Sequence, residues 1–312
     1  MTKDSTSPSR VLFRHRLEYA AVRLLELGFR ATPYRLCLWN ARLLARLAFH
    51  VFRWRRAEAL RRIAQVFPGL PRREALAIAY RSLRNIFLNA AEIMHLGGVD
   101  DAWLRRHVEN DAEAVRKIRA ATETTGAVLA LPHFGNWDLA GIVMAHHGIR
   151  IFSVAGQQKN PLTNRWLNDK RATGIAILTR GTVAVRQILR RLRDREVFAI
   201  LPDVRMKTPD LAIPFLGAEA NLGRGMALFA RKTGSPILPA KVRRTALDRH
   251  FLDVGDPIRP NPGLPEEEDI RRLTREVMAT IEEQIREDPG QWFWYNRRWV
   301  LEPLPPDAGS KP

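Results

Sequence analysis

Residues 128–141 read Val-Leu-Ala-Leu-Pro-His-Phe-Gly-Asn-Trp-Asp-Leu-Ala-Gly, and this stretch decides the fold prediction. The apolar run before Pro132 predicts a buried strand, and the Gly-Asn pair that follows predicts a turn into a helix. His133 therefore lies at the carboxyl end of a strand, where ligand sites gather in open α/β sheets. Asp138 falls in the first turn of the helix, and Gly135 allows backbone or substrate to approach closely.

The same alternation continues along the chain. Short apolar runs at 151–155, 197–201 and 236–240 predict strands, and helical patterns lie between them, at 137–147, 160–171, 182–194 and 223–233. A last helix is expected over 266–287. Alternating strands and helices predict an α/β fold, with a mixed central sheet flanked by helices.

The N-terminal segment 10–62 has a different pattern, in which apolar and aromatic residues alternate with arginines at helical spacing. Residues 1–62 hold 14 Lys or Arg against 4 Asp or Glu. We expect an amphipathic helical arm, which either lies in a membrane interface or packs on the domain with solvated arginines. Both readings can hold together. The longest uncharged run between 10 and 62 has six residues, far short of the roughly 20 that span a bilayer.

The whole chain carries a formal charge of +18, which favours a polyanionic partner such as nucleic acid, anionic lipid or an acidic protein. No zinc-ligand spacing, RNA-recognition signature or Gly-rich phosphate loop is present, so a membrane surface is preferred and no nucleic acid is expected. The single cysteine, Cys37, excludes a disulfide within the chain and a cysteine metal cluster. Without a secretory pattern at 1–10, we expect peripheral attachment on the cytoplasmic face of the inner membrane.

Three regions are predicted on this basis. Residues 1–98 form the basic helical region, 99–302 form the α/β core, and 303–312 form a Pro-rich flexible tail. The first two are expected to fold together as one compact domain. We find no internal repeat.

His133 and Asp138 are the candidate catalytic pair. A histidine at this place can accept a proton near neutral pH, and a carboxylate five positions later can hold one ring nitrogen and stabilise the imidazolium. The alternative is structural, because an Asp in the first turn of a helix is also favoured by the helix dipole.

Residues 133–141, HFGNWDLAG, resemble the His-X4-Asp/Glu signature of bacterial lysophospholipid-type acyltransferases. More narrowly, the chain resembles the lipid A late acyltransferases, which transfer lauroyl and myristoyl groups, and their relatives that acylate phosphatidylinositol mannosides. The resemblance covers roughly 55–300, and four further blocks carry it: 160–171, 201–203, 213–236 and 291–298. The chain departs from the lauroyl transferases at Asp138, often Glu, and from the usual closing block at Asn296, usually His, and Trp299, usually Phe.

The resemblance implies a glycerolipid acyltransferase-like fold and direct acyl transfer. His133, oriented by Asp138, would deprotonate an acceptor hydroxyl, and the alkoxide would attack a donor thioester without a covalent enzyme intermediate. The implied donor is acyl carrier protein or acyl-CoA, and the implied acceptor is an anionic glycolipid, with a lipid A precursor first and a phosphatidylinositol mannoside second. No metal ion or other cofactor is expected.

The further blocks supply candidate substrate-binding residues. Arg171 would hold an acceptor phosphate or the donor, although a helix-end arginine is commonly only solvated. Asp203 would orient His133 or the acceptor hydroxyl, unless it merely caps a turn. Asn136 is assigned to substrate binding, and Phe215 and Gly223 to an acyl-chain groove, against the alternative of a loop that packs on the sheet.

The closing segment 291–300 has two interpretations. Arg297 and Arg298 beside Trp292, Trp294 and Trp299 suit a membrane-facing edge, where indoles sit at headgroup level. Alternatively, the aromatic side chains fill the core. The alternatives from another class are a basic nucleic-acid-binding protein and a membrane scaffold without catalysis, and the scaffold predicts that His133→Ala leaves function intact.

Overall fold

The computed structural model describes residues 11–95, 100–156, 159–171, 175–179 and 181–304, with the side chains of Ala155, Arg171, Thr179 and Thr182 left out. The predictions for residues 1–10 and for most of the tail 303–312 therefore lie outside the described residues.

The N-terminal region is helical, as predicted, but the segment 10–62 forms three helices instead of one arm. These are α1 (Phe13–Arg30), α2 (Tyr34–His50) and α3 (Arg56–Val66), and α4 (Arg72–His95) follows. Pro33 caps α2, because a proline has no N–H to donate and suits a helix start. Arg53 and Arg55 have φ of 50° and 47°, which breaks the chain between α2 and α3.

The remaining elements alternate between strands and helices. Before the first central strand come α5 (Asp101–His107), β1 (Val108–Glu109) and α6 (Asp111–Ala121). The main α/β part contains β2 (Ala127–Ala130), α7 (Trp137–His146), β3 (Ile151–Ala155), α8 (Pro161–Arg171), β4 (Ile175–Thr179), α9 (Thr182–Arg193) and β5 (Val197–Ile200). The last part contains β6 (Leu211–Phe215), β7 (Ala218–Leu222), α10 (Gly225–Thr233), β8 (Ile237–Ala246), β9 (Arg249–Val254), α11 (Glu266–Glu287) and a 3-10 turn (Pro289–Gln291).

Within the described residues, seven strands form the central sheet in the order β1-β9-β8-β2-β5-β3-β4. Every neighbouring pair is parallel except β8 and β9, and β6 pairs with β7 in a separate hairpin. The predicted mixed α/β fold with flanking helices is confirmed. Strand β4 and the hairpin were not predicted.

Strand β2 lies in the middle of the sheet and is buried on both faces. Val128 and Ala130 belong to a core shared with α10, α11 and the closing aromatic segment. Ala127 and Leu129 belong to the opposite core, shared with α6 and α7. A strand covered on both faces is apolar at every position, which explains the continuous run in the sequence.

The register between β2 and β5 positions the site. Ala130 pairs with Ile200 in the parallel ladder, and the Leu131 N–H donates to the Ile200 carbonyl. Each strand is followed by Leu-Pro and then by a polar residue, His133 in one case and Asp203 in the other. Because the strands are parallel and in register, the two polar residues leave the sheet side by side.

Candidate active site

The imidazole of His133 is held by the carboxylate of Asp203. The Nδ1 atom of His133 lies 2.8 Å from Oδ1 of Asp203, and the backbone N–H of His133 donates to Oδ2 at 2.8 Å. The His133 side chain is 20% exposed and that of Asp203 is 1% exposed. The ring therefore reaches solvent while its carboxylate partner stays buried.

The Asp203 carboxylate accepts a third hydrogen bond, from Nε1 of Trp292 at 2.8 Å. Burial raises the pKa of Asp203, but attraction to His133 and the donors on both oxygens outweigh burial and hold the pKa below its ordinary value. An ionised Asp203 accepts a hydrogen bond from Nδ1–H of His133. In this tautomer Nε2 carries the lone pair, which can accept a proton.

The closing segment of the chain pairs with the loop that carries His133. The Gly135 N–H donates to the Gln291 carbonyl at 3.0 Å, and the Phe293 N–H donates to the His133 carbonyl at 2.9 Å. Between these bonds, Phe134 and Trp292 face each other in an antiparallel bridge. The loop is thereby fixed by backbone bonds on both sides of Trp292.

Gly135 is required by its surroundings. Its φ is +55°, and a Cβ placed there would lie 1.7 Å from the carbonyl oxygen of Val242 on β8. The neighbouring Asn136 N–H donates to the same carbonyl at 3.1 Å. The close approach predicted for Gly135 is confirmed, and the group that approaches is the backbone of β8.

A buried polar network lies beneath this loop. Its centre is Glu92 of α4, whose two carboxylate oxygens each accept a hydrogen bond at 2.7 Å from the Arg244 guanidinium. Asn89 donates to the Gly135 carbonyl at 2.5 Å and accepts from Arg244 at 2.9 Å. Burial raises the pKa of Glu92, but Arg244 and His250 overcome that effect and lower it. The network ties α4 and β8 to the loop.

Asn136 belongs to the same network. Its side chain is buried, and its Nδ2 donates to Oε2 of Glu92 at 2.6 Å. This contact supports a role in holding the loop. The predicted contact between Asn136 and a substrate stays a prediction.

Asp138 lies in the first turn of α7, at the position that the sequence predicted. The carboxylate that contacts Nδ1 of His133 belongs to Asp203. Sequence analysis predicted that Asp203 orients either His133 or the acceptor hydroxyl. The catalytic contribution of Asp138 stays a prediction.

Aromatic rings flank the imidazole. The ring centre of Trp137 lies 5.0 Å from that of His133, and the Phe293 ring lies 6.4 Å from it. Trp137 and Phe293 are nearly parallel to each other, with centres 6.3 Å apart. Two aromatic rings therefore border the imidazole.

The other predicted substrate residues lie in the main core, after β7 or outside the described side chains. Arg171 ends α8, and its side chain is outside the described residues. Phe215 is buried in the main core, with its ring centre 6.3 Å from that of Trp292. Gly223 follows β7, where a Cβ would lie 3.1 Å from the Met206 sulfur. Their substrate roles stay predictions.

The interpretation of the closing tryptophans as a membrane-facing edge is wrong. Trp292, Trp294 and Trp299 are all buried, at 2% exposure or less, and they pack against one another in the main core. The alternative interpretation, that the aromatic side chains fill the core, is correct. The sequence offered no sign that the Trp292 indole also contacts Asp203.

Sequence analysis also did not identify Glu92, Arg244 and Gln291 as residues that support the site. Gln291 bonds both backbone groups of Arg244 through its side-chain amide, at 3.0 and 2.8 Å. A Glu in a long helix and an Arg in a strand are usually surface residues, so only the tertiary structure identifies them as buried partners.

Neither a metal site nor a cysteine nucleophile emerges from the described residues. Among them, no group of three or more His, Cys, Asp and Glu side chains is arranged to hold a metal ion. Cys37 is buried between α2 and α4, and burial raises the pKa of its thiol to about 11. At neutral pH the thiol stays protonated and weakly nucleophilic.

Three proteins of known function or structure resemble the chain. The phosphatidylinositol mannoside acyltransferase of Mycobacterium tuberculosis is 24% identical over 219 residues, which are 68% of this chain and 66% of that protein. The enzyme of the same name from Mycolicibacterium smegmatis is 25% identical over 182 residues, 57% of this chain and 58% of that protein. The alignments thus span less than two thirds of these relatives. The solved structure of the 1-acyl-sn-glycerophosphate acyltransferase PlsC from Thermotoga maritima covers 81% of this chain and 96% of its own, with 18% identity and a TM-score of 0.37.

The family comparison covers nearly the whole described chain. Residues 8–300 match the family described as bacterial lipid A biosynthesis acyltransferase. This range includes His133, Asp138, Asp203 and the closing segment. The chain therefore belongs to the bacterial lipid A biosynthesis acyltransferase family.

Proposed function

We propose that this protein transfers a fatty acyl chain from acyl carrier protein or acyl-CoA to a hydroxyl of a lipid A precursor or a similar anionic glycolipid, with His133 as general base. The observation that carries the proposal is the His133–Asp203 pair, at the carboxyl ends of two adjacent parallel strands in a chain of this family. Strand ends are where such chemistry gathers in open α/β sheets.

The geometry supports a direct transfer. Nε2 of His133 accepts the proton of the acceptor hydroxyl, and the oxygen attacks the thioester carbonyl carbon. The tetrahedral oxyanion collapses, the C–S bond breaks, and the leaving thiolate takes the proton back from the imidazolium. Asp203 stabilises the imidazolium while it carries the proton. General-base catalysis of this type contributes about 10²–10⁴-fold to the rate.

The remaining predicted residues keep their roles in this proposal. Asp138 assists the base from the first turn of α7, and Arg171 binds a phosphate of the acceptor or the donor. Asn136 contributes to substrate binding from the loop that its bond to Glu92 also holds, and Phe215 and Gly223 shape the region that receives the acyl chain.

Attachment to a membrane surface is part of the proposal, and α1 supplies its main support. The large exposed apolar side chains of the described residues lie between Val11 and Trp54, apart from Val183 and Val185. On α1, Phe13 is 76% exposed and Leu24 is 70% exposed, while the buried residues of this helix are His15 and Glu26. A helix that turns its apolar side chains outward suits an apolar environment.

The polar face of α1 attaches it to the core. Glu26 accepts a hydrogen bond from the Trp166 indole at 2.8 Å and pairs with Lys170 of α8 at 2.6 Å. Asn160, which caps α8, donates to the His15 carbonyl at 2.9 Å. Apart from Phe29, which packs against the apolar cluster between α2 and α4, the contacts that attach α1 to the core are therefore largely polar.

Helix α2 packs one face on the protein and exposes apolar side chains on another, so both predicted roles of the arm are compatible with it. Cys37, Leu38 and Ala41 pack against α4, while Trp39 is 54% exposed and Leu43 is 57% exposed. No Asp or Glu lies within α2. An apolar and cationic surface complements the anionic headgroups of a cytoplasmic leaflet, where each well-placed Lys or Arg contributes about 1 kcal/mol. We accordingly propose peripheral attachment to the cytoplasmic face of the inner membrane.

A phosphatidylinositol mannoside acyltransferase is the second candidate. It is favoured by the two mycobacterial relatives that carry this name. The base and the reaction would be the same, and only the acceptor would change to a mannose hydroxyl.

The test is mass spectrometry of the host lipids with and without the gene. Wild type, His133→Ala and His146→Ala are added back, since His146 lies at the far end of α7 and pairs with Asp101. We expect one lipid of the deletion strain to lack an acyl chain, and we expect wild type and His146→Ala, but not His133→Ala, to restore it. The mass of the acceptor distinguishes the two candidates. An unchanged lipid profile, or restoration by His133→Ala, would exclude the proposal.

A further inference from the structure

We propose that Trp292 is a positioning residue for the acyl transfer, because its indole N–H holds the carboxylate of Asp203 in the orientation that His133 requires. This inference rests on the proposed role of His133 as the base. It assigns a function in the reaction to a buried aromatic side chain that also belongs to the core.

The three hydrogen bonds to Asp203 are shared between its two carboxylate oxygens. Oδ1 accepts from the His133 ring, while Oδ2 accepts from the His133 backbone and from Trp292, all at 2.8 Å. The plane of the carboxylate is therefore fixed by donors on both oxygens. Without the indole donor, Oδ2 keeps only the backbone N–H, and the buried carboxylate has lost part of the polar environment that its charge requires.

The backbone around Trp292 couples its position to the loop of His133. The residues on either side of Trp292 bond to Gly135 and to His133 itself, and the Trp292 carbonyl accepts from Ser82 of α4. The ring is 2% exposed and packs between Trp294 and Trp299, with ring centres 4.8 and 5.3 Å away. The indole nitrogen is thus placed by groups that also place the imidazole.

The other two tryptophans of the cluster donate to different acceptors. Nε1 of Trp294 bonds the Pro289 carbonyl at 2.7 Å, and Nε1 of Trp299 lies 3.2 Å from Oε1 of Gln65. Both are buried as deeply as Trp292. Trp294 is therefore a matched control: its substitution also removes a buried indole hydrogen bond from the cluster, but it leaves Asp203 untouched.

The expected signature is kinetic. A hydrogen bond to a charged group is worth about 1.5–3 kcal/mol, which corresponds to a fall in kcat of about 10- to 100-fold if the bond is needed to orient the base. KM should stay near the wild-type value because Trp292 does not contact solvent. The acid limb of the rate profile should move to higher pH, because a carboxylate with one donor fewer attracts the protonated imidazole more strongly.

The experiment compares two replacements of Trp292. Trp292→Phe removes the donor and some volume, and site-specific replacement of Trp292 by benzothienylalanine removes only the donor, since sulfur replaces the N–H in a ring of the same shape. The same two changes at Trp294 are the controls. Thiol release is measured from lauroyl-CoA or lauroyl acyl carrier protein, whichever the wild type consumes, with vesicles of extracted host lipids as acceptor.

We expect both Trp292 replacements to lower kcat and shift the acid limb, and both Trp294 replacements to keep the wild-type profile. In an Asp203→Asn background, the benzothienyl replacement at Trp292 should cost little further activity, since the two groups act through one contact. Should the benzothienyl variant at Trp292 retain the wild-type kcat and pH profile while His133→Ala is inactive, the positioning role is excluded and the proposed function stands. Full activity of His133→Ala would instead exclude the proposed function itself.

Discussion

The imidazole of His133 and the carboxylate of Asp203 are 70 residues apart in the chain and 2.8 Å apart in the structure. Their contact follows from the ladder between β2 and β5, in which Ala130 and Ile200 are partners. His133 lies three residues after Ala130 and Asp203 lies three residues after Ile200, in each case directly after a Leu-Pro pair. Two similar strand ends therefore build the site, one supplying the proposed base and the other a carboxylate beside it.

Asp203→Asn tests which carboxylate serves the base. We expect kcat to fall about 10²–10⁴-fold, because a neutral amide cannot balance the charge of the imidazolium and can also turn its N–H towards Nδ1. The same assay applied to Asp138→Asn measures how much the first turn of α7 contributes. If Asp203→Asn were fully active and Asp138→Asn inactive, the orienting role would belong to Asp138.

Gly135→Ala should destabilise the protein. The added methyl group meets the Val242 carbonyl at 1.7 Å and forces an L side chain into a φ of +55°. We expect a loss of about 3 kcal/mol or more in the free energy of unfolding, measured by chemical denaturation. Gly148 is the control, since its φ is +76° but no atom lies within 4 Å of the added Cβ. Gly148→Ala should lose about 1–2 kcal/mol from backbone strain alone. Equal losses would contradict the close approach at Gly135.

Glu92→Gln should destabilise the fold and change its pH dependence. Replacing Glu92 leaves the buried Arg244 charge without its partner, which costs about 3–5 kcal/mol at neutral pH. Because the folded pKa of Glu92 lies below its ordinary 4.5, its contribution is present above that pH and is lost as the pH falls further. Burial lowers the pKa of His250 below 6.5, which adds a loss of the same sign as the pH falls through and below that value.

Denaturation curves between pH 2 and pH 8 check this prediction. Glu92→Gln should start lower than the wild type, and below pH 4.5 the wild type should lose the stability that its Glu92 carboxylate contributes, which the variant lacks from the start. Glu113→Gln, which removes an exposed ion pair with Arg116, should follow the wild-type curve. A wild-type stability that rises towards acid pH would contradict the assignment.

The exposed apolar side chains of α1 should control binding to membranes. Phe13→Ser combined with Leu24→Ser should weaken binding to vesicles that contain phosphatidylglycerol by about tenfold or more per residue, because each apolar side chain contributes about 1.5–3 kcal/mol when it leaves water. Val183→Ser with Val185→Ser removes exposed apolar surface outside the arm and should have a smaller effect. Vesicle flotation measures both, and equal effects would remove α1 from the attachment surface.

Much of the fold was predictable because its signals are local. The apolar run before His133 and the helical patterns from 137 to 287 identify most elements of the α/β part to within one or two residues. Strand β4 was not predicted, because its five residues, Ile175–Thr179, form only a short apolar run. The N-terminal arm was seen as helical, but its division depends on two arginines in the left-handed region, which sequence patterns do not predict.

The site was predictable in its residues more than in its contacts. His133 and Asp203 were both named, because a polar residue at a strand end is visible in the sequence. The pairing of the two rests on the order of strands in the sheet, and local patterns do not give that order. The role of Trp292 was hidden because the closing tryptophans are consistent with either a membrane edge or a core, and only their burial distinguishes the two.

The pairing between the closing segment and the His133 loop has a consequence for synthesis. A ribosome makes α1 and α2 well before residues 291–293, yet both backbone bonds that flank Trp292 depend on those later residues. A nascent chain that already contains α1 and α2 therefore still lacks Gln291 and Phe293, whose backbone groups bond the loop of His133. Proteolytic removal of the same segment from a finished chain would leave the arm intact and the His133 loop without these backbone bonds.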